Sequence, residues 1–175
     1  MTTKPWFINF KRLARPEVRL FCFPYAGGSA AIFHGFINDL PRGFELWGAN
    51  LPGHGSRVNE PPMTDLMALA DSLAAAMVPL IDRTPFVLWG HSMGAHLAFE
   101  IARLLRRRNL PMPQQLVVTA SPAPQLPRHN RAWYTLPDEQ LAAELHKHNG
   151  LPLELLDEPQ LLALLLPALR ADLYL

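Results

Sequence analysis

Short β-prone runs alternate along this chain with longer segments of helical periodicity, and this alternation restricts the fold more than any other feature of the sequence. The apolar run Val18–Phe23 is followed by apolar residues at helical spacing over residues 30–40, and residues 45–50 form the next strand candidate. Parallel strands need a crossover of roughly a dozen residues or more, usually a helix. The pattern therefore predicts the α/β class, with a mostly parallel sheet and flanking helices.

The alternation continues to about residue 120 and then stops. Thr64 is a suitable N-cap for the helix that precedes Pro85. The further predicted elements are a helix over residues 64–80, a strand over residues 86–89, a helix to about residue 108 and a strand over residues 116–120. Beyond them no strand candidate occurs, and helical patterns cover about residues 138–147 and 158–175. We therefore predict a region of alternating strands and helices over residues 1–125 and a purely helical region over residues 126–175.

Composition excludes several classes of partner. The chain has 16 Lys and Arg against 15 Asp and Glu, so it lacks the excess positive charge that a general nucleic-acid or membrane-surface binder needs. Its most apolar run, residues 161–169, is far shorter than the ~20 residues of a membrane-spanning helix. A single cysteine and a start without a signal-peptide pattern predict a cytoplasmic protein.

The sequence Gly90-His91-Ser92-Met93-Gly94 carries the strongest chemical signal. It has the G-x-S-x-G pattern and lies between a predicted strand and a predicted helix, which is the context that a nucleophile elbow requires. At such a turn the serine hydroxyl is exposed above the sheet, and glycines are needed where a neighbouring Cβ atom has no room. We therefore predict that Ser92 is a catalytic nucleophile.

A glycine-rich loop, Tyr25-Ala26-Gly27-Gly28, follows the first predicted strand. An oxyanion hole needs two N–H donors, and we expect these to be the backbone N–H groups of Ala26 and of Met93, the residue after the nucleophile. A phosphate-binding loop is the rival interpretation, but the segment has neither G-x-x-x-x-G-K-[ST] nor G-x-G-x-x-G. No metal site is predicted.

Four segments occur in a characteristic order: Phe-Pro-Tyr-Ala-Gly-Gly at residues 23–28, Leu-Pro-Gly-His-Gly-Ser-Arg at 51–57, Gly-His-Ser-Met-Gly-Ala at 90–95 and Leu-Pro-Ala-Leu-Arg-Ala-Asp at 166–172. Together they resemble the type II thioesterases, stand-alone α/β-hydrolases of nonribosomal peptide and polyketide synthesis. The resemblance implies hydrolysis of acyl or aminoacyl thioesters on the phosphopantetheine arm of acyl or peptidyl carrier protein domains, which clears misloaded or stalled groups. It implies no cofactor beyond the arm that the substrate carries.

The catalytic triad is expected to be incomplete in this chain. In α/β-hydrolases the acid and then the histidine follow the nucleophile along the chain, and in this family they follow later strands. Downstream of Ser92 only one strand candidate occurs, and the histidines lie in helical or proline-rich contexts: His96, His129, His146 and His148. The resemblance therefore implies an N-terminal portion of a type II thioesterase that is nearly inactive alone. It would comprise part of the α/β-hydrolase core over residues 1–125 and a helical lid region over residues 126–175, which ends at Leu175 in a lid helix, with the C-terminal strands of the sheet missing. If that expectation fails, one of these histidines must be the base.

An arginine cluster ends the helix that follows Ser92, and its members are Arg103, Arg106, Arg107 and Arg108. A solvent-exposed helix end is the simple interpretation, since positive charge complements the C-terminal helix dipole. However, no acidic residue occurs between Glu100 and Asp138, and Arg128 and Arg131 extend the basic stretch. Docking of a carrier protein therefore stays open, because by the family resemblance carrier proteins are usually acidic.

Two other functions stay open at this point. A lipase or esterase of the same fold would use the same nucleophile but would prefer simple oxygen esters to carrier-bound thioesters. A non-catalytic module would dock on a synthetase without turnover. The leucine-rich end, residues 161–173, has more leucines than one face of a solvent-exposed helix can bury, so it needs cover from another surface.

Overall fold

Five β-strands form a single sheet in this computed structural model, which describes residues 4–81, 83–123, 125–126, 132–148 and 150–175. The strands are β1 (Phe7–Lys11), β2 (Val18–Phe23), β3 (Phe44–Ala49), β4 (Phe86–His91) and β5 (Gln115–Thr119). Their order is β1-β3-β2-β4-β5, and β2 pairs in parallel with β3 and β4, as β4 does with β5. The predicted α/β class with a mostly parallel sheet is confirmed.

The sequence pattern does not predict β1, which pairs antiparallel with β3 at the edge of the described sheet. Phe7 lies opposite Ala49, and the register shifts between Asn9 and the end of the strand. A short run that contains Asn and Lys has weak β propensity. Pairing with β3 stabilises it, together with burial of Phe7 against Phe21, whose ring centroids lie 5.3 Å apart.

Among the described residues the α-helices are α1 (Leu66–Met77), α2 (Met93–Arg107), α3 (Asp138–Lys147) and α4 (Pro159–Tyr174). Each corresponds to a predicted helix. The helix predicted over residues 30–40 is a 3₁₀ segment that ends at Asn38. The prediction that Thr64 caps α1 is wrong: the neighbouring Asp65 is the N-cap, because its carboxylate accepts hydrogen bonds from the backbone N–H groups of Met67 and Ala68.

The main apolar core lies between the sheet and the helices α1 and α2. Phe21 and Phe23 of β2 and Leu88 of β4 belong to it, together with Leu73 of α1 and Leu97 of α2, and all five side chains are fully buried. This packing fixes the carboxyl ends of β2 and β4 beside each other. The two loops that carry the predicted site residues follow these strand ends.

The helices after β5 have an apolar cluster of their own. Leu141 and Leu145 of α3 and the nearby Leu151 pack in it with Leu166 and Leu169 of α4. This separate cluster is compatible with a core and a lid region, although the division at residues 125 and 126 stays a prediction.

The leucine-rich helix α4 is only partly covered. Its Leu161 and Leu164 side chains are 42% and 52% exposed, so the described residues do not supply the cover expected for these two positions. Among the described residues, no helix has both the length and the apolarity needed to cross a membrane.

Candidate active site

Ser92 occupies the tight turn between β4 and α2. Its backbone φ of 54° and ψ of −115° lie in a region that non-glycine residues rarely adopt. A Cβ added to Gly90 would lie 2.1 Å from the Gly94 carbonyl oxygen, so a side chain cannot be accommodated there. The strand-turn-helix context that the G-x-S-x-G pattern predicts is present.

Contacts with β5 hold this turn in place. The backbone N–H of Ser92 donates to the carbonyl oxygen of Thr119 at 2.9 Å, and the Thr119 hydroxyl lies 2.9 Å from Nδ1 of His91. The Oγ of Ser92 has no hydrogen-bond partner among the described residues. The hydroxyl is therefore available to a substrate or to a base from elsewhere.

The loop after β2 forms a tight turn next to the elbow. The N–H of Gly28 donates to the carbonyl oxygen of Tyr25 at 2.9 Å, and Gly27 has a φ of 78°. A positive φ at the third position of a turn is typical of type II and favours glycine. Parallel pairing of β2 with β4 brings this turn beside Ser92.

The two N–H groups predicted to form the oxyanion hole are not engaged within the part of the chain that the structure describes. Neither Ala26 nor Met93 donates a backbone hydrogen bond to any residue there. Met93 is the first residue of α2, where a backbone N–H has no acceptor inside the helix. Ala26 lines the same crevice as Ser92. Both donors are therefore available to stabilise an oxyanion.

A crevice of about 720 Å³ opens at Ser92. Its walls come from the turn after β2 and from the segments after β5, and the apolar side chains among them are Trp133, Leu145, Leu151, Leu153, Leu169 and Leu173. A second cavity of about 320 Å³ shares Tyr25 and Ala26 with this crevice. The volume and the apolar walls suit the burial of an acyl group.

Two histidines of the lid region also line this crevice, His146 and His148. Nδ1 of His146 lies 3.1 Å from the carbonyl oxygen of Leu151, so Nδ1 carries the proton and Nε2 is the ring nitrogen left for other contacts. The ring of His148 lies against Trp133, with centroids 5.0 Å apart.

Of the two other histidines that follow the nucleophile, the structure describes His96, which does not line the crevice. Nε2 of His96 lies 3.1 Å from the hydroxyl oxygen of Ser121, and His96 lines a separate pocket. His129 lies outside the described residues, as do Arg128 and Arg131 of the basic stretch. Within the residues that are described, no group of three His, Cys, Asp or Glu side chains is arranged to hold a metal ion.

A buried pair of ionisable side chains connects α4 to the loop after β3 and to the turn after β2. Nε2 of His54 lies 2.8 Å from Oδ2 of Asp172, and each residue is only 5% exposed. The same carboxylate oxygen accepts a hydrogen bond from the backbone N–H of Gly27 at 2.7 Å. Nδ1 of His54 lies 2.9 Å from the carbonyl oxygen of Pro52.

These contacts define the charge state of the histidine. A carbonyl oxygen accepts only, so Nδ1 of His54 carries a proton, and an ionised Asp172 requires a second proton on Nε2. Burial opposes the charged ring, but the hydrogen bond and charge of Asp172, with the Pro52 carbonyl, outweigh it and raise the pKa of His54. Sequence reasoning gave neither residue a role, although both lie in segments that carry the family resemblance.

Half of the arginine cluster is engaged within the chain. Arg103 donates to Glu100 at 2.7 Å, and Arg108 forms an ion pair with an acidic residue of α1. Arg106 and Arg107 are exposed and form no ion pair with any residue in the described ranges. The positive charge that is free for a partner therefore lies mainly at these two positions.

The sheet, the elbow after β4 and the turn after β2 together define the α/β-hydrolase fold, which the similar solved structures share. The Thioesterase domain profile matches residues 18–175, and the chain belongs to this family, with type II thioesterases of biosynthetic pathways among its relatives. The resemblance that the four sequence segments indicate is thereby confirmed.

Individual relatives show how far the similarity extends. The gramicidin S biosynthesis protein GrsT of Aneurinibacillus migulanus is 40% identical over 167 residues, which cover 95% of this chain and 65% of GrsT. RedJ, a thioesterase of the prodiginine biosynthetic pathway in Streptomyces coelicolor, is 36% identical, with a TM-score of 0.85 over 99% of this chain and 63% of RedJ. YbtT, a type II thioesterase of the yersiniabactin pathway, is 33% identical, with a TM-score of 0.85 over 97% of this chain and 68% of YbtT. The chain thus spans 63–68% of the length of these three proteins.

Proposed function

We propose that this chain forms part of a serine thioesterase that removes misloaded or stalled acyl and aminoacyl groups from carrier protein domains in nonribosomal peptide and polyketide synthesis. The bond that is hydrolysed is the thioester to the phosphopantetheine arm. The observation that carries the proposal is the elbow, where Ser92 has a φ of 54° at the mouth of an apolar crevice. Membership of the thioesterase family supports a thioester substrate.

The reaction follows from the groups around Ser92. Its Oγ attacks the thioester carbonyl carbon while a general base takes the hydroxyl proton. The carbonyl oxygen becomes an oxyanion, and the N–H groups of Ala26 and Met93 stabilise it. Collapse breaks the C–S bond, the pantetheine thiolate takes the proton from the base, and an acyl ester remains on Ser92. Water then attacks this ester through the same steps and releases the acid.

The general base and the acid that orients it are assigned to residues outside these 175. His54 cannot be the base, because both of its ring nitrogens already face oxygen acceptors. His96 contacts Ser121 and lines a separate pocket, and neither His146 nor His148 forms a hydrogen bond with Ser92. On this assignment the 175-residue chain alone keeps only the residual catalysis of binding and oxyanion stabilisation, which is roughly 10³–10⁴-fold over water.

The carrier protein is proposed to approach the end of α2 that bears Arg106 and Arg107, since these exposed charges suit an acidic partner. The reaction needs no cofactor beyond the arm that the substrate carries. A cytoplasmic location is part of the proposal, and the single, buried cysteine of this chain agrees with it.

The test compares Ser92→Ala with the wild type, both in the 175-residue chain and in the natural full-length protein. The measurements are release of a labelled acyl group from a carrier protein and covalent labelling by a fluorophosphonate. We expect the full-length wild type to show both reactions and Ser92→Ala to lose release by about 10³-fold or more. Ser121→Ala is the matched control, because it removes a hydroxyl near the elbow that has no proposed catalytic part.

Four outcomes would redirect the assignment. Normal release by Ser92→Ala would exclude this serine as the nucleophile. A preference for simple oxygen esters over carrier-bound thioesters would indicate a lipase or esterase, and carrier binding without turnover would indicate a non-catalytic docking module. If the 175-residue chain were as active as the full-length protein, the base would lie within it, and His146→Ala and His148→Ala would test the two histidines of the crevice.

A further inference from the structure

The lid helix α4 touches the turn that carries Ala26 through two side chains. Oδ2 of Asp172 accepts the hydrogen bond from the N–H of Gly27, across 145 positions of sequence. Leu169, about one helical turn earlier, packs so closely that a Cβ on Gly27 would lie 2.8 Å from its Cδ1. The position of α4 and the shape of this turn therefore depend on each other.

Two consecutive peptide planes of the turn are each fixed by one hydrogen bond. The first contains the Tyr25 carbonyl and the Ala26 N–H, which are trans in one rigid unit. It is held because that carbonyl accepts from Gly28 at 2.9 Å. The second contains the Gly27 N–H, and it is held by Asp172. The two planes meet at the Cα of Ala26, so the bond to α4 fixes the second plane and limits how far the first plane, with its Ala26 N–H, can rotate as the turn moves.

Asp172 can hold the turn because its own carboxylate is neutralised and oriented. An unpaired carboxylate that is 5% exposed would be strongly disfavoured. His54 supplies the opposite charge at 2.8 Å and is itself fixed by the Pro52 carbonyl at 2.9 Å. The loop after β3 therefore anchors the carboxylate that anchors the turn after β2.

We propose that Asp172 is a positioning residue for the oxyanion hole, with His54 as the partner that holds its carboxylate. The inference rests on the proposed function of Ala26, Met93 and Ser92. When α4 is docked, Asp172 fixes the second peptide plane and thereby aims the Ala26 N–H. When α4 moves away, this donor loses its direction, so the hole is complete only under the docked lid helix.

The test measures kcat and KM on an acyl-carrier thioester for variants of the natural full-length protein. Asp172→Ala removes the carboxylate, and Asp172→Asn keeps its shape without its charge. Gln160→Ala is the matched control, since Gln160 also lies on α4 but its side chain is exposed and forms no hydrogen bond with any described residue. A misplaced donor acts on the transition state, so we expect kcat of Asp172→Ala to fall by about tenfold or more with KM within about twofold. Asp172→Asn should lose less, and Gln160→Ala should keep the kcat of the wild type.

A second measurement does not depend on activity. An amide proton that donates to a carboxylate resonates at low field in the proton NMR spectrum. We expect this shift for Gly27 in the wild type and in Gln160→Ala, and its loss in Asp172→Ala.

The outcomes separate the two proposals. An Asp172→Ala variant with normal kcat, or with a Gly27 amide resonance that does not move, overturns the positioning role. A wild type that releases no acyl group overturns the proposed function, while the Gly27 resonance still shows whether Asp172 holds the turn. If Asp172→Ala does not fold, Asp172→Leu, which keeps the approximate size of the side chain but has no acceptor, provides the same two comparisons.

Discussion

Gly94, in the first turn of α2, lies directly against the backbone of Phe23 at the end of β2: a Cβ on Gly94 would be 2.1 Å from the Phe23 carbonyl oxygen. This contact places the start of the helix that follows Ser92 against the strand that leads to the Ala26 turn. The two site loops can therefore lie this close together only because Gly94 has no side chain.

Gly94→Ala should therefore be strongly destabilising, because neither backbone can move without disturbing the sheet. Overpacking in a core costs about 1–3 kcal/mol and sometimes more, and a clash with backbone belongs at the upper end of that range. The control is Gly35→Ala, because a Cβ on Gly35 meets nothing within 4 Å. Urea unfolding of both variants tests this, and equal free energies of unfolding would contradict the close contact.

The start of α1 offers a comparison between two adjacent capping candidates. The Asp65 carboxylate accepts from the N–H groups of Met67 and Ala68 at 2.8 Å and 3.0 Å. Asp65→Ala should lower the free energy of unfolding by about 1 kcal/mol, the typical value of a lost N-cap. Thr64→Ala should change it little. Thermal or urea unfolding of both variants tests this, and a larger loss of stability in Thr64→Ala than in Asp65→Ala would indicate that Thr64 is the cap.

The pair of His54 and Asp172 should make stability depend on pH in a defined direction. The pKa of His54 is raised in the folded state above its ordinary value of 6.5. The stabilisation that the pair gives the folded state is therefore complete below pH 6.5 and is lost as pH rises through the folded-state pKa of His54. The free energy of unfolding of the wild type should fall in this window, by at most about 1.4 kcal/mol per pH unit for one proton.

Two variants isolate this effect in urea unfolding between mildly acidic and alkaline pH. Asp172→Asn removes the charge that raises the pKa of His54, so its stability should vary less over the same range. His34→Gln replaces an exposed histidine and should keep the slope of the wild type. If the free energy of unfolding of Asp172→Asn had the same pH dependence as that of the wild type, a group other than His54 would be responsible.

Replacing Arg106 and Arg107 by Glu should slow association with an acidic carrier protein. Both side chains are exposed at the end of α2, and rim charges act mainly on the association rate. Raised salt should reduce the difference from the wild type, because charges are screened over about 8 Å at physiological ionic strength. The same inversion at Arg12 and Arg15, in the loop between β1 and β2, controls for net charge. Equal association rates for both double variants at low salt, in a stopped-flow experiment, would leave the cluster as a solvated helix end.

The elements that the sequence predicts are those with a strong local signal. β2 and α3 have the predicted bounds, because an apolar run stopped by proline and a regular 3.6-residue repeat are properties of the segment itself. The elbow at Ser92 follows in the same way from two glycines between a strand and a helix.

The features that the sequence does not predict depend on remote partners. β1 is stabilised by pairing with β3, and nothing in its own composition indicates this. His54 and Asp172 are 118 positions apart, so only the folded chain shows that they meet. At the start of α1 the difficulty is different, since Thr64 and Asp65 are both suitable caps and only the turn geometry selects one.

The two apolar clusters also determine how readily substrate preference can change. Leu145 and Leu151 line the crevice and belong to the cluster formed by α3 and α4, whereas Leu88, in the strand that leads to the elbow, belongs to the main core. Substitutions at well-separated sites without shared partners have nearly additive effects on stability. Substitutions at Leu145 or Leu151 that enlarge or narrow the crevice should therefore affect the packing of α3 and α4 and leave β4, the strand that leads to Ser92, unchanged. If the proposed function holds, a lineage of such thioesterases can adapt to longer or shorter acyl groups without changing the residues at the elbow.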